Sequence, residues 1–106
     1  MVQFDEILDL RDQIVREFSP QSLILFKSHA RGTAGTESDV DLLVIMPFQG
    51  SPIRKAVDIS RKIRHRFPLD LIVRTPQYIS QRREMNDPFI AEIFEQGRVL
   101  HESAHA

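Results

Sequence analysis

Apolar positions recur at helical spacing in two stretches of the chain. Hydrophobic residues lie three or four positions apart over residues 3–17 and again over about 52–66, with charged residues between them. This pattern predicts two amphipathic helices, each burying one face. Ser19 and Pro20 end the first helix and Pro68 follows the second, since proline cannot continue a helical hydrogen-bond pattern.

Two shorter helices are predicted toward the C-terminus. The segment from Tyr78 to Met85 is predicted to begin as a helix, and Pro88 to Gln96 to form a last short one. Proline suits the first turn of a helix, where its missing N–H would have no helical partner. Gly97 is predicted as the C-cap of the last helix.

Short apolar runs bounded by turn residues predict the strands. They are Ser22–Phe26, Asp39–Met46, Leu69–Val73 and, as a short edge strand, Val99 with Leu100. Between the first two lies a stretch of small and polar residues, 27–38, which predicts a loop that has room for one helical turn. The tail from Glu102 onward is expected to fray.

The predicted order is helix, strand, loop, strand, helix, strand and two helices. This order favours an α/β (α+β) fold in which helices pack against a small mixed sheet. A length of 106 residues suits one domain, residues 1–106, and the sequence shows no repeat or linker that would divide it.

Composition and charge exclude several kinds of protein. The formal net charge is −1, so no direct binding to nucleic acid is expected, and the basic cluster of residues 61–66 is interpreted as a solvated helix face. The absence of cysteine excludes disulfides, thiolate metal sites and cysteine nucleophiles, and it suits a cytoplasmic protein. No apolar run is long enough to span a membrane, and the acidic N-terminal stretch does not resemble a signal peptide.

Three aspartates stand at the beginnings of predicted strands. Asp39 and Asp41 are two residues apart, so their side chains point to the same face. Asp70 occupies the corresponding place in the third strand, and neighbouring strands would bring the three carboxylates to one sheet edge. A divalent cation would relieve their repulsion, and hard oxygen ligands favour Mg²⁺ or Mn²⁺ over zinc. The alternative is structural, because aspartate often caps turns that precede strands.

The segment before the aspartate pair favours the functional interpretation. Leu25–Gly32 reads LFKSHARG, and Ser38–Leu42 reads SDVDL. Together they resemble the polymerase-beta-like nucleotidyltransferase superfamily, and specifically its minimal, single-domain MNT branch. The segments Asn86–Ile93 and Gly97–Leu100 are similar to the ending of that branch, so the resemblance extends over nearly the whole chain.

The resemblance implies a nucleotidyltransferase-like fold, a metal cofactor and a set of site residues. The cofactor would be Mg²⁺, bound as two ions, with Mn²⁺ as an alternative. The implied metal-binding and catalytic residues are Asp39, Asp41 and Asp70. The implied nucleotide-binding residues are Lys27, Ser28, Arg31 and Ser38. Arg31 would alternatively brace the loop, and His29 is interpreted as a solvated loop side chain.

Lys27 departs from the family pattern, which has glycine before the serine. A lysine in a left-handed conformation would cost about 1 kcal/mol or more and would project bulk into the triphosphate pocket. Its ammonium could instead form charge-assisted hydrogen bonds with a triphosphate. In the third interpretation it points to solvent and the turn tolerates it.

The resemblance implies that the chain transfers AMP from ATP to an acceptor hydroxyl. MNT proteins are often antitoxins that modify a tyrosine of a HEPN-domain toxin, so a HEPN protein is the expected partner. The alternative is a module without catalysis that binds and occludes its partner, with Lys27 as the sign of the loss. A polymerase or RNA-tailing enzyme is disfavoured by the few aromatic residues and the lack of basic excess. The acceptor, the nucleotide preference and homo-oligomer formation stay open.

Overall fold

The computed structural model of the chain describes residues 2–36 and 38–103. The helices are α1 (Phe4–Phe18), α2 (Ser28–Arg31), α3 (Pro52–Lys62), α4 (Pro76–Glu84) and α5 (Pro88–Gln96). The strands are β1 (Ser22–Phe26), β2 (Val40–Ile45), β3 (Leu69–Arg74) and β4 (Arg98–Glu102). None of the helices in the described part of the chain is long and apolar enough to cross a membrane.

The strands form one mixed sheet in the order β3-β2-β1-β4. β1 runs antiparallel to both β2 and β4, whereas β2 and β3 are parallel and are joined through α3. A parallel pair needs such a crossover, while antiparallel strands can be joined by a short segment such as the one containing α2. The predicted class, a small mixed sheet packed against helices, is confirmed.

Side chains alternate between the two faces of the sheet, and helices cover both faces. In β1, Leu23 and Leu25 pack toward α1 and α3, whereas Ile24 and Phe26 pack toward α4 and α5. Every residue of β2 is buried, as expected for a central strand covered on both sides. The polar exception in β2 is Asp41, which lies on the face covered by α4 and α5.

The second long helix ends earlier than predicted, at Lys62 rather than 66. Ile63 is already extended, with φ −116° and ψ 155°. The side-chain amide of Gln13 then donates to the carbonyl oxygen of Arg64 and accepts from its N–H, both at 2.8 Å. These bonds from α1 replace the helical ones, so the last part of the basic cluster lies in a connecting segment rather than on a helix face.

The C-terminal boundaries also differ from the prediction. α4 begins at Pro76, two residues earlier than expected. β4 extends over Arg98–Glu102, and Glu102 pairs with Ser22 of β1, so the prediction that this residue frays is wrong. The apolar pattern of this strand is weak because an edge strand needs backbone pairing but little apolar burial. Residues 104–106 lie outside the described part of the chain.

Glu6 connects the start of α1 to the segment that follows α3. Its carboxylate accepts a 2.9 Å hydrogen bond from the N–H of Gln3, and the Arg66 guanidinium donates to both of its oxygens. The Gln3 backbone bond, followed by the Arg66 bond, lowers the pKa of Glu6 below its usual value of 4.5. The ionised carboxylate is therefore favoured in the folded state.

Replacing Glu6 by glutamine is expected to lower the melting temperature at neutral pH. A lowered pKa gives stability that is present above the unfolded value and is lost as the pH falls through the folded value. The difference between native chain and variant should therefore shrink to nothing in acid, as measured by thermal unfolding against pH. Asp5→Asn, the same charge change in the same helical turn, is the control, and an equal effect of both variants would contradict this explanation.

Candidate active site

The beginnings of β2 and β3 meet the end of β1 at one end of the sheet. Asp41 lies opposite Phe26 in β1 and opposite Asp70 in β3. Asp39 immediately precedes β2, which begins at Val40, one residue later than predicted. Both Asp39 and Asp70 act electrostatically on Asp41. The antiparallel and parallel pairings of β2 thus bring the three predicted aspartates together.

Asp41 is the centre of this cluster. It is 6% exposed and is the only charged side chain that is buried among the described residues. Burial is the main reason why the pKa of its carboxyl is raised. The Lys27 ammonium opposes that shift, whereas the charges of Asp70 and Asp39, and a hydrogen bond with the Asp70 carboxyl, add to it. The site therefore holds crowded carboxylates whose charge would be stabilised by a cation.

Lys27 has the backbone of a glycine and a side chain turned toward the carboxylates. Its φ of 61° and ψ of −142° lie close to a region that is nearly restricted to glycine, and such strain costs on the order of 1–3 kcal/mol. Its Nζ lies 3.9 Å from Oδ1 of Asp41 and 5.8 Å from the centre of the Phe26 ring. The side chain is 55% exposed, so the ammonium lies at the mouth of the site.

The predicted helical turn after β1 is present as α2. The carbonyl oxygen of Lys27 accepts from the N–H groups of Ala30 and Arg31, both at 3.1 Å. The carbonyl oxygen of Ser28 accepts from the N–H of Thr33 at 3.0 Å. Ser28 is the first residue of α2, where backbone N–H groups have no partner within the helix. Its amide and hydroxyl therefore lie next to the strand end that holds the aspartates.

His29 and Ser38 hold the loop against β2. Nε2 of His29 lies 3.4 Å from the carbonyl oxygen of Ser38, which can only accept, so this nitrogen is the donor. The Ser38 hydroxyl accepts from the N–H of Gly35 at 2.9 Å. The His29 side chain is thus partly buried and hydrogen-bonded to Ser38, whereas a solvated side chain was predicted. No periodic pattern in the loop could have indicated this contact, because it joins residues nine positions apart through irregular backbone.

Arg31 points toward α5. Its Nη1 lies 3.5 Å from Oε1 of Glu92 and donates to Oε1 of Gln96 at 3.4 Å. Between α2 and α5 is a cavity of about 80 Å³, walled in part by Phe26 and Phe89, whose rings meet edge to face at 5.9 Å. No pattern in the sequence could indicate this cavity wall, since α5 is distant from β1 in the chain and their packing is decided by the fold.

The donors at the site fit a divalent cation in kind. Carboxylate oxygens are the ligands that Mg²⁺ and Mn²⁺ prefer. As the side chains lie, no group of three or more His, Asp and Glu residues in the described ranges is arranged to hold a metal ion. Asp41 instead faces the ammonium of Lys27. Binding a metal would therefore require the carboxylates to close in and the ammonium to give way.

Comparison with known families decides what kind of domain this is. Residues 7–101 match the family described as nucleotidyltransferase domain. The chain belongs to the nucleotidyltransferase domain family. The match begins within α1 and ends in β4, so it includes every residue of the candidate site. It confirms the resemblance to nucleotidyltransferases that the sequence showed.

Solved structures share the nucleotidyltransferase fold of this chain. A toxin–antitoxin crystallised with AMP-PNP has a chain that is 20% identical, with a TM-score of 0.55. A mutant of the toxin–antitoxin MntA–HpeT has a chain that is 17% identical, with a TM-score of 0.52. In both cases the likeness covers 97% of this chain and 76% of the other. No curated protein sequence matches the chain.

Proposed function

We propose that this nucleotidyltransferase domain transfers AMP from ATP to a hydroxyl group of a partner protein, as an antitoxin that modifies its toxin. The proposal rests on one observation, the convergence of Asp39, Asp41 and Asp70 beside the turn that begins at Ser28. An acidic cluster next to backbone N–H groups that lack a partner within the helix is suited to hold a triphosphate together with its counter-cations. Asp39, Asp41 and Asp70 would hold Mg²⁺, which when bound neutralises phosphate charge and orients the reacting oxygens.

The protein groups would divide the work of the transfer. The amide and hydroxyl of Ser28, with Ser38 and Lys27, would hold the phosphates. The acceptor oxygen would form a bond to the α-phosphorus while the bond from that phosphorus to pyrophosphate breaks. The proton of the acceptor hydroxyl would pass to Asp70, which is exposed and can be reached by a large acceptor. Such a reaction depends mainly on positioning and on electrostatic stabilisation of the transferring phosphoryl group.

A protein acceptor suits the surface around the site. The Phe89 side chain is 43% exposed and borders the cavity beside Lys27. Exposed apolar residues next to a charged cleft are typical of a surface that a partner covers. The similar folds belong to toxin–antitoxin complexes, one of them crystallised with AMP-PNP. We therefore propose a HEPN-domain toxin as the partner and one of its tyrosines as the acceptor.

Transfer can be tested with the purified chain and a HEPN-domain toxin as the acceptor protein. Incubation with Mg²⁺ and ATP labelled at the α-phosphate should attach label to the partner, and EDTA should prevent it. Intact-mass measurement should show the addition of AMP, and peptide mapping should place it on tyrosine. Absence of labelling with an active, folded partner, in Mg²⁺ and in Mn²⁺, would contradict the proposed reaction.

The second candidate is a module that occludes its partner without catalysis, and the strained Lys27 backbone favours it. The two functions differ in their response to nucleotide. Binding of ATP with Mg²⁺ to the native state must raise the melting temperature by mass action. An unchanged melting temperature together with tight binding of the partner would favour occlusion.

A further inference from the structure

We propose that the ammonium of Lys27 is a resident counter-ion of the aspartate cluster, which keeps free divalent cations out until a triphosphate draws it away. This inference rests on the proposed function, because it assigns Asp39, Asp41 and Asp70 to a metal site. It predicts that a divalent cation binds to the site tightly only once a triphosphate is present. Lys27 would thereby couple metal binding to nucleotide binding.

The position of the ammonium supports its role as a counter-ion. Lys27 is the cation that acts on Asp41, and its Nζ lies 3.9 Å from a carboxylate oxygen of that buried residue. A divalent ion bound by Asp41 would lie within a few ångströms of this ammonium. Like charges at that distance repel strongly where water is partly excluded. The ammonium must therefore leave, or the metal must bind weakly.

The geometry also allows the ammonium to leave. A distance of 3.9 Å is longer than a direct hydrogen bond, and the lysine side chain is 55% exposed. Four rotatable methylene groups let an ammonium move between nearby anions at little cost. A triphosphate held at Ser28 would carry more negative charge than Asp41 and would lie immediately beside residue 27. Moving Lys27 onto the phosphates would free the carboxylates for the metal that arrives with the nucleotide.

The backbone of Lys27 gives a reason to treat the side chain as functional. Position 27 has φ 61°, where glycine would be unstrained and a lysine is not. A lysine that only pointed to solvent would add strain without any compensating contact. A glycine at this position could not form the ion pair with Asp41. It could not place an ammonium 5.8 Å from the centre of the Phe26 ring either.

Binding of Mn²⁺ to the purified chain tests the inference, with electron paramagnetic resonance of free Mn²⁺ as the readout at constant ionic strength. Lys27→Met removes the charge and keeps the Cβ, whereas Lys27→Gly also removes the strain. Both variants should bind Mn²⁺ about tenfold or more tightly than the native chain when no nucleotide is present, because the repulsion between the ammonium and the metal is removed. Lys27→Arg keeps the charge and should resemble the native chain. Lys62→Met, an equal charge change on the exposed end of α3, should have no effect.

The same titration with a non-hydrolysable ATP analogue tests the coupling, after subtraction of the Mn²⁺ that the analogue binds without protein. A saturating concentration of the analogue should raise the Mn²⁺ affinity of the native chain. The difference in Mn²⁺ affinity between the native chain and Lys27→Met should then become smaller. If the native chain and Lys27→Met both bind free Mn²⁺ with equal affinity, the inference about Lys27 fails. The proposed function stands in that case. If no variant binds Mn²⁺, with or without the analogue, the metal site itself is wrong and both proposals fail. Thermal unfolding of each variant verifies that it is folded.

Discussion

Replacing Asp41 by asparagine is expected to reduce the proposed AMP transfer by about a thousandfold while making the folded chain more stable. The loss is of the size found when a preorganised electrostatic group is removed from an active site. Asparagine keeps the shape of the side chain but cannot supply the negative charge that a metal requires. The gain in stability follows from burial, because folding holds the Asp41 carboxylate in a poorly solvated place close to Asp39 and Asp70.

The sign of the stability change depends on pH. The pKa of Asp41 is raised on folding, so between its usual value of 3.8 and the raised value the native state holds more protons than the unfolded state. Stability therefore falls as the pH rises through that interval, and the uncharged asparagine avoids the loss. Asp41→Asn should melt at a higher temperature than the native chain at pH 7 in EDTA. The difference should disappear in acid, where the native aspartate is protonated in both states.

Two measurements check this prediction together, initial rates of labelling and thermal unfolding in EDTA. Asp58→Asn on the exposed face of α3 makes the same chemical change away from the aspartate cluster and should alter neither quantity much. A variant that transfers AMP at nearly the native rate would show that Asp41 is not part of the chemistry. A lower melting temperature for Asp41→Asn at neutral pH would show that its charge stabilises the fold.

Replacing Gly97 by alanine is expected to destabilise the chain by about 3 kcal/mol, in the range measured for overpacked cores. A Cβ at this position would lie 2.2 Å from the carbonyl oxygen of Ile93 and 2.8 Å from Cγ2 of Ile24. The nearest obstacle is backbone, so α5 must shift away from β1 and open the core between them. For a domain of this size, the melting temperature should fall by roughly 10–20 °C.

Gly35 supplies the matched control for this substitution. A Cβ at Gly35 would meet nothing within 4 Å, and its backbone does not require glycine. Gly35→Ala should therefore change the free energy of unfolding by less than about 0.5 kcal/mol. Thermal and urea unfolding of both variants would decide the matter. Equal stability of the Gly97→Ala and Gly35→Ala variants would mean that α5 packs against β1 less closely than described.

Gly97 also shows how a correct prediction can have a different physical cause. The sequence placed it at the C-cap of α5, where glycine usually supplies a left-handed conformation. It does lie there, but its φ is −74°, a value open to any residue. Glycine is needed because the chain turns directly into β4 against β1, leaving no room for a side chain. Only the packing of distant elements could reveal this requirement.

Local patterns in the sequence determined most of the elements and the fold class. Apolar periodicity, prolines at helix starts and continuous apolar runs act over a few residues, so α1, β1, β2 and α5 could be predicted close to their observed positions. The same local chemistry singled out Asp39, Asp41 and Asp70. Their shared neighbourhood could be expected because the entrances of neighbouring strands tend to align.

The tertiary structure alone decided how these parts act on one another. The register of β2 against β1 and β3 places Asp41 beside Asp70 and within reach of Lys27. The early end of α3 depends on a hydrogen bond to Gln13 of α1, and the contact of His29 with Ser38 depends on how the irregular loop folds back. Burial, charge coupling and close approach are properties of pairs of elements, so they have no signature in the spacing of residues within one element. For this reason the sequence named the acidic residues, and the fold showed that an ammonium already faces them.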